Sequence, residues 1–274
     1  MLTTRITELA NKDNPVEDVD IFESSLTTIF NDVRNMHGEP GEFVVYTSPK
    51  YGDIKLGLAN IRKSDTRLFS HHLWNAGVEV AGMIENGEID VEEENVLELG
   101  AGAALPSLLS ALAGARSVVI TDYPAPEILE NITSNICLNS TILSSSKPPE
   151  VYGHTWGDLS DDVAKAYTHA FTRVIAADTL WMDYEHENLA KSMLHFLDDK
   201  NPKARVIVVA GLHTGRQKMA KFWNVAVDTG FEIESIKERD VNGVEREFLA
   251  DRGFEDGQEK KMWLTIGILK RKSS

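Results

Sequence analysis

The chain has 274 residues, 42% of them hydrophobic, enough to bury one large core with at most a small appendage. Lysine and arginine number 28 against 43 aspartates and glutamates, and the resulting charge of −15 repels a phosphate backbone, argues against nucleic acid and suits a cationic substrate. A single cysteine, Cys137, excludes an intrachain disulfide and a cysteine-based zinc site.

No run of eighteen apolar residues occurs, and the opening stretch lacks the zones of a signal or transit peptide, so no membrane association and a cytoplasmic location are expected. Residues 1–40 read as a polar, partly helical leader, in which Ile21, Phe22, Leu26, Ile29, Phe30 and Val33 form a stripe that should dock on something. Strands at 43–46 and 54–58 around the turn-forming SPKYGD predict a β-hairpin. A helix is expected from near Ser70, with Leu73, Trp74, Val78 and Met83 largely on one side. The acidic ENGEIDVEEEN that follows reads as a solvated loop.

From residue 95 strand-like runs alternate with helical ones. NVLELG, SVVITDY, RVIAAD and ARVIVVAG are short continuous apolar runs, as strands buried on both faces of a parallel sheet require, and the segment reads as doubly wound α/β. FEIESIKERDV and KKMWLTIGILKR break the rhythm and predict a closing antiparallel pair. NSTILSSSKPP, at 139–149, reads as a connection after a helix, and the basic tail LKRKSS as a solubilising end.

One junction carries chemistry. VLEL runs into Gly100-Ala101-Gly102 and then into PSLLSALAG, whose Pro106 suits a first helical turn. Glycines there let the backbone turn sharply and approach a ligand. The third glycine of a dinucleotide fingerprint would fall at Leu105, which weakens a nicotinamide reading. Asp122, at the end of the next strand, is placed to accept both ribose hydroxyls of an adenosine. Glu98 tips the balance between adenosine ligands, since an acid repels a diphosphate but favours an amino acid carrying a sulfonium, as in S-adenosylmethionine; the plain alternative is an empty strand-to-helix turn with an acidic helix cap.

The residues LFSHHLWNAG, NVLELGAGAALPSLLSALAGA, VVITDYP, NITSN, YGHTWGD, IAADTLWMDYEHENLAKSM and GLHTGR, in this order, resemble the seven-β-strand S-adenosylmethionine-dependent methyltransferases. The similarity points to the lysine methyltransferase branch, which includes fungal nicotinamide N-methyltransferase-like proteins and an elongation factor 1-alpha methyltransferase. It implies a Rossmann-like, mostly parallel seven-stranded sheet at 68–274, with 1–67 as an N-terminal helix and hairpin extension. Carried over by position, it implies that Trp74 lies near the donor's methionine portion, that Gly100, Ala101 and Gly102 wrap the donor, and that Asp122 takes the ribose. Tyr123 and Trp156 then flank the adenine, and Ala177 touches the donor.

Relatives carry an acid, two residues and then tyrosine or phenylalanine after the fourth core strand; here the run is Asp178-Thr-Leu-Trp181, with an indole as the aromatic. Methyl transfer to nitrogen needs an amine that has lost its proton, a barrier for a lysine of pKa ~10.4. Trp181, with Tyr184, is suited to attract and desolvate a cationic amine, and Asp178 to orient it through a hydrogen bond. The same residues also fit a helix cap and a core tryptophan. His213 suits either an acceptor pocket or a plain loop. EHENL lacks the second histidine of a zinc template, so no metal is predicted, and Ser107 lacks the glycine-flanked elbow of a hydrolase. The expected acceptor is a protein lysine or N-terminal amine, with elongation factor 1-alpha favoured by resemblance. A small-molecule amine is the alternative, and a non-catalytic donor-binding subunit a third reading.

Overall fold

The computed structural model describes residues 2–9, 35–60, 72–212 and 214–272. The stripe from Ile21 to Val33, the expected helix start at Ser70 and His213 lie outside them. Within the leader, a 3-10 turn at Thr3–Arg5 runs into strand β1 (Ile6–Leu9). β2 is the two-residue Met36–His37, followed by β3 (Phe43–Ser48) and β4 (Gly52–Gly57). The last two form the expected hairpin, in register from Phe43↔Gly57 to Ser48↔Gly52. Val44, Tyr46 and Ser48 alternate inward, as a half-buried strand requires. β1 pairs antiparallel with β3, making a three-stranded sheet ordered β1-β3-β4.

Leu73 and Trp74 are not helical: they form β5 (Leu73–Trp74), pairing antiparallel with β2. Helix α1 (Asn75–Glu85) starts only there. The backbone of the preceding residues is committed to a neighbour far off in sequence, and Trp74 is extended, with φ −87° and ψ 149°. In the acidic loop after α1, Ile89 and Val91 are buried and anchor an otherwise largely exposed run.

The core follows as β6 (Asn95–Leu99), α2 (Leu105–Leu112), β7 (Ser117–Asp122), α3 (Pro126–Leu138), β8 (Glu150–Gly153), α4 (Asp162–Ala166) and β9 (Arg173–Ala177). α5 (His186–Phe196), β10 (Arg205–Gly211), α6 (Arg216–Thr229), β11 (Phe231–Asp240), β12 (Glu245–Glu247), α7 (Gly257–Met262) and β13 (Trp263–Arg271) complete it. The sheet order is β12-β11-β13-β10-β9-β6-β7-β8. β10, β9, β6, β7 and β8 are parallel, and β13 and β11 close it as the expected antiparallel pair. Seven strands match the expectation; the eighth, β12, is a short polar edge strand whose sequence carries no apolar alternation. From β6 the chain winds outward through β7 and β8, then returns to β9 on the other side. This reversal opens a crevice at the strands' carboxyl ends, where open α/β sheets bind ligands.

No helix among the described residues is long and apolar enough to cross a membrane. The antiparallel end is tied down by ions. Arg216, 5% exposed at the start of α6, pairs with the fully buried Glu238 of β11 and, at 2.6 Å, with Glu255; Arg246 reaches Glu238 at 2.7 Å. Removing one member strands a buried charge, so Arg216→Ala should cost ~3–5 kcal/mol in urea unfolding. A loss below ~1 kcal/mol would mean that Arg246 and Arg252, at 2.7 and 3.4 Å, pair Glu238 adequately without it.

Candidate active site

The crevice holds a cavity of about 320 Å³, within the small-molecule range. Trp74, Glu98, Gly100, Ala101, Gly102, Asp122, Tyr123, Trp156, Ala177, Asp178 and Trp181 all line it. They come from the ends of β5, β6, β7 and β9 and from the segments after β8 and β9, so the parallel register is what collects them.

The turn after β6 alternates hand. Gly100 and Gly102 have φ of 69° and 54°, a region that glycine enters without a steric penalty. A Cβ on Gly100 would lie 3.0 Å from both Trp156 Cζ2 and Thr179 Cγ2, so the bare backbone keeps this wall of the cavity open. Gly100 and Ala101 N–H groups donate to Thr121 O at 2.9 and 3.1 Å, stitching the turn to β7. Asp122 accepts from Gly102 N at 2.8 Å and from Tyr123 N at 2.7 Å, one bond per carboxylate oxygen, with lone pairs left for a ligand.

Glu98 has a partner that sequence reasoning did not assign. Its carboxylate accepts from the backbone N–H and the hydroxyl of Ser107, in the first turn of α2, where the helix dipole favours an acid. Burial nevertheless pushes its pKa up to about 8, outweighing the Ser107 bonds, with the nearby Asp122 adding to the rise. Burial also lifts Asp122 to about 6 against its two backbone bonds.

Three walls are held from a distance. Trp74 is fixed by the β2–β5 pairing and meets the His72 ring edge-on at 6.2 Å, while His72 Nδ1 bonds Gly38 O. The turn carrying Trp156 is held by Ser192 Oγ, which accepts from Gly157 N at 2.9 Å and lies 2.9 Å from His154 Nε2. His154 Nδ1 contacts Asp161 at 2.6 Å. This Ser-His-Asp set is a buried brace: Ser192 is fully buried and His154 is 2% exposed, so it offers no accessible nucleophile.

Asp178 follows β9 with φ 58°, left-handed for a residue with a Cβ. Its N–H donates to Val209 O at 2.7 Å and its Oδ1 accepts from Gly211 N at 3.1 Å, so it is bound to the end of β10. Neither the 3-10 turn Asp183–Glu185 nor α5 has a side-chain N-cap, so Asp178 does not cap the next helix. Trp181 is half-buried and Tyr184 is 74% exposed at the rim. His186 is buried beneath, with Nε2 on Leu180 O, and burial lowers its pKa. Thr179, Met182 and Glu185 also line the cavity; their only sequence signal was adjacency to Asp178 and Trp181. Among the described residues, no group of three or more His, Cys, Asp or Glu side chains could hold a metal ion.

Because folding raises both acids, each contributes stability below its ordinary pKa, and loses it as pH climbs through about 6 for Asp122 and about 8 for Glu98. Stability without ligand should therefore decline from about pH 5 to about pH 8, and Glu98→Gln should flatten the upper part of that decline. Thermal melts across this window check it; identical profiles for the two proteins would rule out a protonated Glu98.

Comparison with known proteins gives the family and the fold. A family model described as "Lysine methyltransferase" matches residues 58–226. The "Protein N-terminal and lysine N-methyltransferase efm7" of Schizosaccharomyces pombe is 35% identical over 194 residues, 68% of this chain and 72% of the relative. Its namesake from Aspergillus fumigatus is 35% identical over 183 residues, 65% of this chain and 70% of the relative. Among solved structures, SMU.776, assigned as a methyltransferase and complexed with SAH, superposes with a TM-score of 0.53 at 11% identity, covering 83% of this chain and 53% of that one. A protein from Streptococcus mutans assigned as SAM-dependent methyltransferase gives 0.52 at 12% identity, covering 86% and 56%. At such identities the structures establish the fold alone. The chain belongs to the lysine methyltransferase family, enzymes whose methyl donor is S-adenosylmethionine.

Proposed function

We propose that this protein methylates a protein amine in the cytoplasm, at a lysine side chain or an N-terminal α-amine. The observation that carries the reading is the convergence of Asp178 and Trp181 with the glycine turn and Asp122 on one cavity. The names of the relatives, which pair N-terminal with lysine methylation, support either nitrogen. Elongation factor 1-alpha is the first acceptor to test, on the strength of the family resemblance.

The residues fit the donor. Gly100 leaves a cradle that a Cβ would fill, Thr179 Oγ1 is buried with no hydrogen-bond partner among the described residues, and two acids line a wall suited to a cation. Bound S-adenosylmethionine supplies a methyl group activated by its sulfonium. The turn at 100–102 and Trp74 would hold its methionine portion, Asp122 its ribose, and Tyr123, Trp156 and Ala177 its adenosine side. Glu98, kept protonated by burial before a ligand binds, would favour the donor's positive charge by ionising as it binds.

On the acceptor side, Trp181 and the exposed Tyr184 present aromatic surface to an incoming cation. Desolvation against them favours the neutral amine, which then has the lone pair that attack requires. Asp178, its carboxylate steadied by Gly211 N, accepts a hydrogen bond from the amine and aligns that lone pair.

The test is transfer of tritiated methyl from S-adenosylmethionine into a host-cell lysate depleted of the enzyme, resolved into protein and small-molecule fractions. A discrete labelled protein band is expected, and label confined to the filtrate would overturn the protein acceptor. Binding of S-adenosylhomocysteine without any transfer would overturn catalysis itself. Asp122→Ala should raise the donor KM about ten- to hundredfold by removing a charged hydrogen-bond acceptor. Asp178→Asn should lower kcat about hundredfold with donor affinity nearly intact. Trp181→Ala should raise the acceptor KM about two- to thirtyfold.

A further inference from the structure

Helix α3 carries Asn131 and Asn135, and Asn139 is its C-cap, the three spaced one helical turn apart and therefore on one face. All three turn to the outer edge of β4, the strand that ends the three-stranded sheet. Asn131 Nδ2 donates to Gly57 O at 2.9 Å. Asn135 accepts from Gly57 N at 2.7 Å and donates back to Gly57 O at 3.0 Å. Asn139 does the same for Lys55, accepting at 3.1 Å and donating at 2.8 Å. Side-chain amides thus supply the ladder that an adjacent strand would have provided.

The Asn135 side chain makes one further bond, from Nδ2 to Ala103 O at 3.1 Å, while its backbone carbonyl accepts from Asn139 Nδ2 at 2.7 Å. That carbonyl shares its peptide unit with the N–H of Ala104, which donates to Ala101 O at 2.7 Å. One peptide is therefore clamped at both ends, directly after Gly102. It leads into Ala104, which has φ 63° and caps α2. An alanine holds that left-handed conformation only where its surroundings enforce it. Asn135 is fully buried, and both halves of its amide are committed.

We propose that Asn135 is a positioning residue for the methyl donor: by clamping the peptide between Ala103 and Ala104 it sets the glycine turn, and through Gly57 it makes that turn answer to the N-terminal hairpin. The inference rests on the reading of the turn at 100–102 as the donor's seat. A purely structural asparagine would serve the hairpin edge as Asn139 does, and would leave donor affinity alone.

The experiment compares wild type, Asn135→Ala, Asn139→Ala and Gly57→Ala by calorimetry with S-adenosylhomocysteine and by steady-state kinetics. Asn135→Ala should raise the Kd for S-adenosylhomocysteine and the donor KM about tenfold, with the acceptor KM unchanged. Asn139→Ala, which removes two bonds to β4 and one to the Asn135 carbonyl but none to the turn, should stay within about twofold of wild type. Gly57→Ala would put a Cβ 3.3 Å from both Asn131 Oδ1 and Phe43 Cε1 and 3.4 Å from Asn135 Oδ1, crowding the edge that Asn135 bonds, and should raise the donor KM by a smaller step. That variant keeps the asparagine and carries the test if Asn135→Ala does not fold. Equal donor affinities for the two asparagine variants would overturn the proposal, and an unchanged donor KM in Gly57→Ala would overturn the link to the hairpin. Wild-type protein that fails to bind S-adenosylhomocysteine would instead overturn the donor seat itself.

Discussion

Asp122 ends β7 with a carboxylate that accepts the N–H of Gly102 at 2.8 Å and that of Tyr123 at 2.7 Å. These two bonds tie the turn after β6 to the turn after β7 across one pair of parallel strands. The other cavity walls are arranged around this junction. Gly100 can lie against Trp156 because it lacks a Cβ, and Ala104 can start α2 left-handed because the peptide before it is bonded on both sides. Fixing the turn before a ligand arrives removes an ordering cost from binding.

The same junction is electrostatically unfavourable. Two carboxyl groups, on Glu98 and Asp122, are buried side by side in a chain that already carries fifteen excess negative charges. Burial raises both pKa values, and the proximity of Asp122 raises that of Glu98 further. A ligand bearing a sulfonium and an ammonium relieves this arrangement, whereas a neutral or anionic one does not.

The walls reach the cavity by three independent routes. Trp74 is set by an antiparallel bridge to Met36, Trp156 by a serine on α5 acting on Gly157, and Asp178 by the last backbone groups of β10. Each brace joins the wall to a segment distant in sequence, so each wall is placed by the folded whole and not by its own loop.

Much of the core could be read from the chain. β6, β7, β9 and β10 are continuous apolar runs because both faces of a central parallel strand are covered, and that burial is written into local composition. The glycine pair, Asp122 and the aromatic positions were legible as residues that would share one cavity, because a tight turn at a strand end and the strand ends beside it fall together in this fold. Other features depend on partners far away. Leu73 and Trp74 are apolar enough for a helix yet form a bridge to β2, β12 is polar because it lies at an edge, and Asp178 sits left-handed because β10 binds it. Asparagines at helical spacing identify a face, but nothing local says that this face meets the edge of β4, or that one amide reaches Ala103. The sequence by itself determined the parallel core, the glycine turn and the residue types that line the cavity, since these follow from periodicity and side-chain type. Only the tertiary structure decided where helix α1 begins, how the walls are braced and what Glu98 and Asn135 bind, because those bonds join residues that chain order keeps apart.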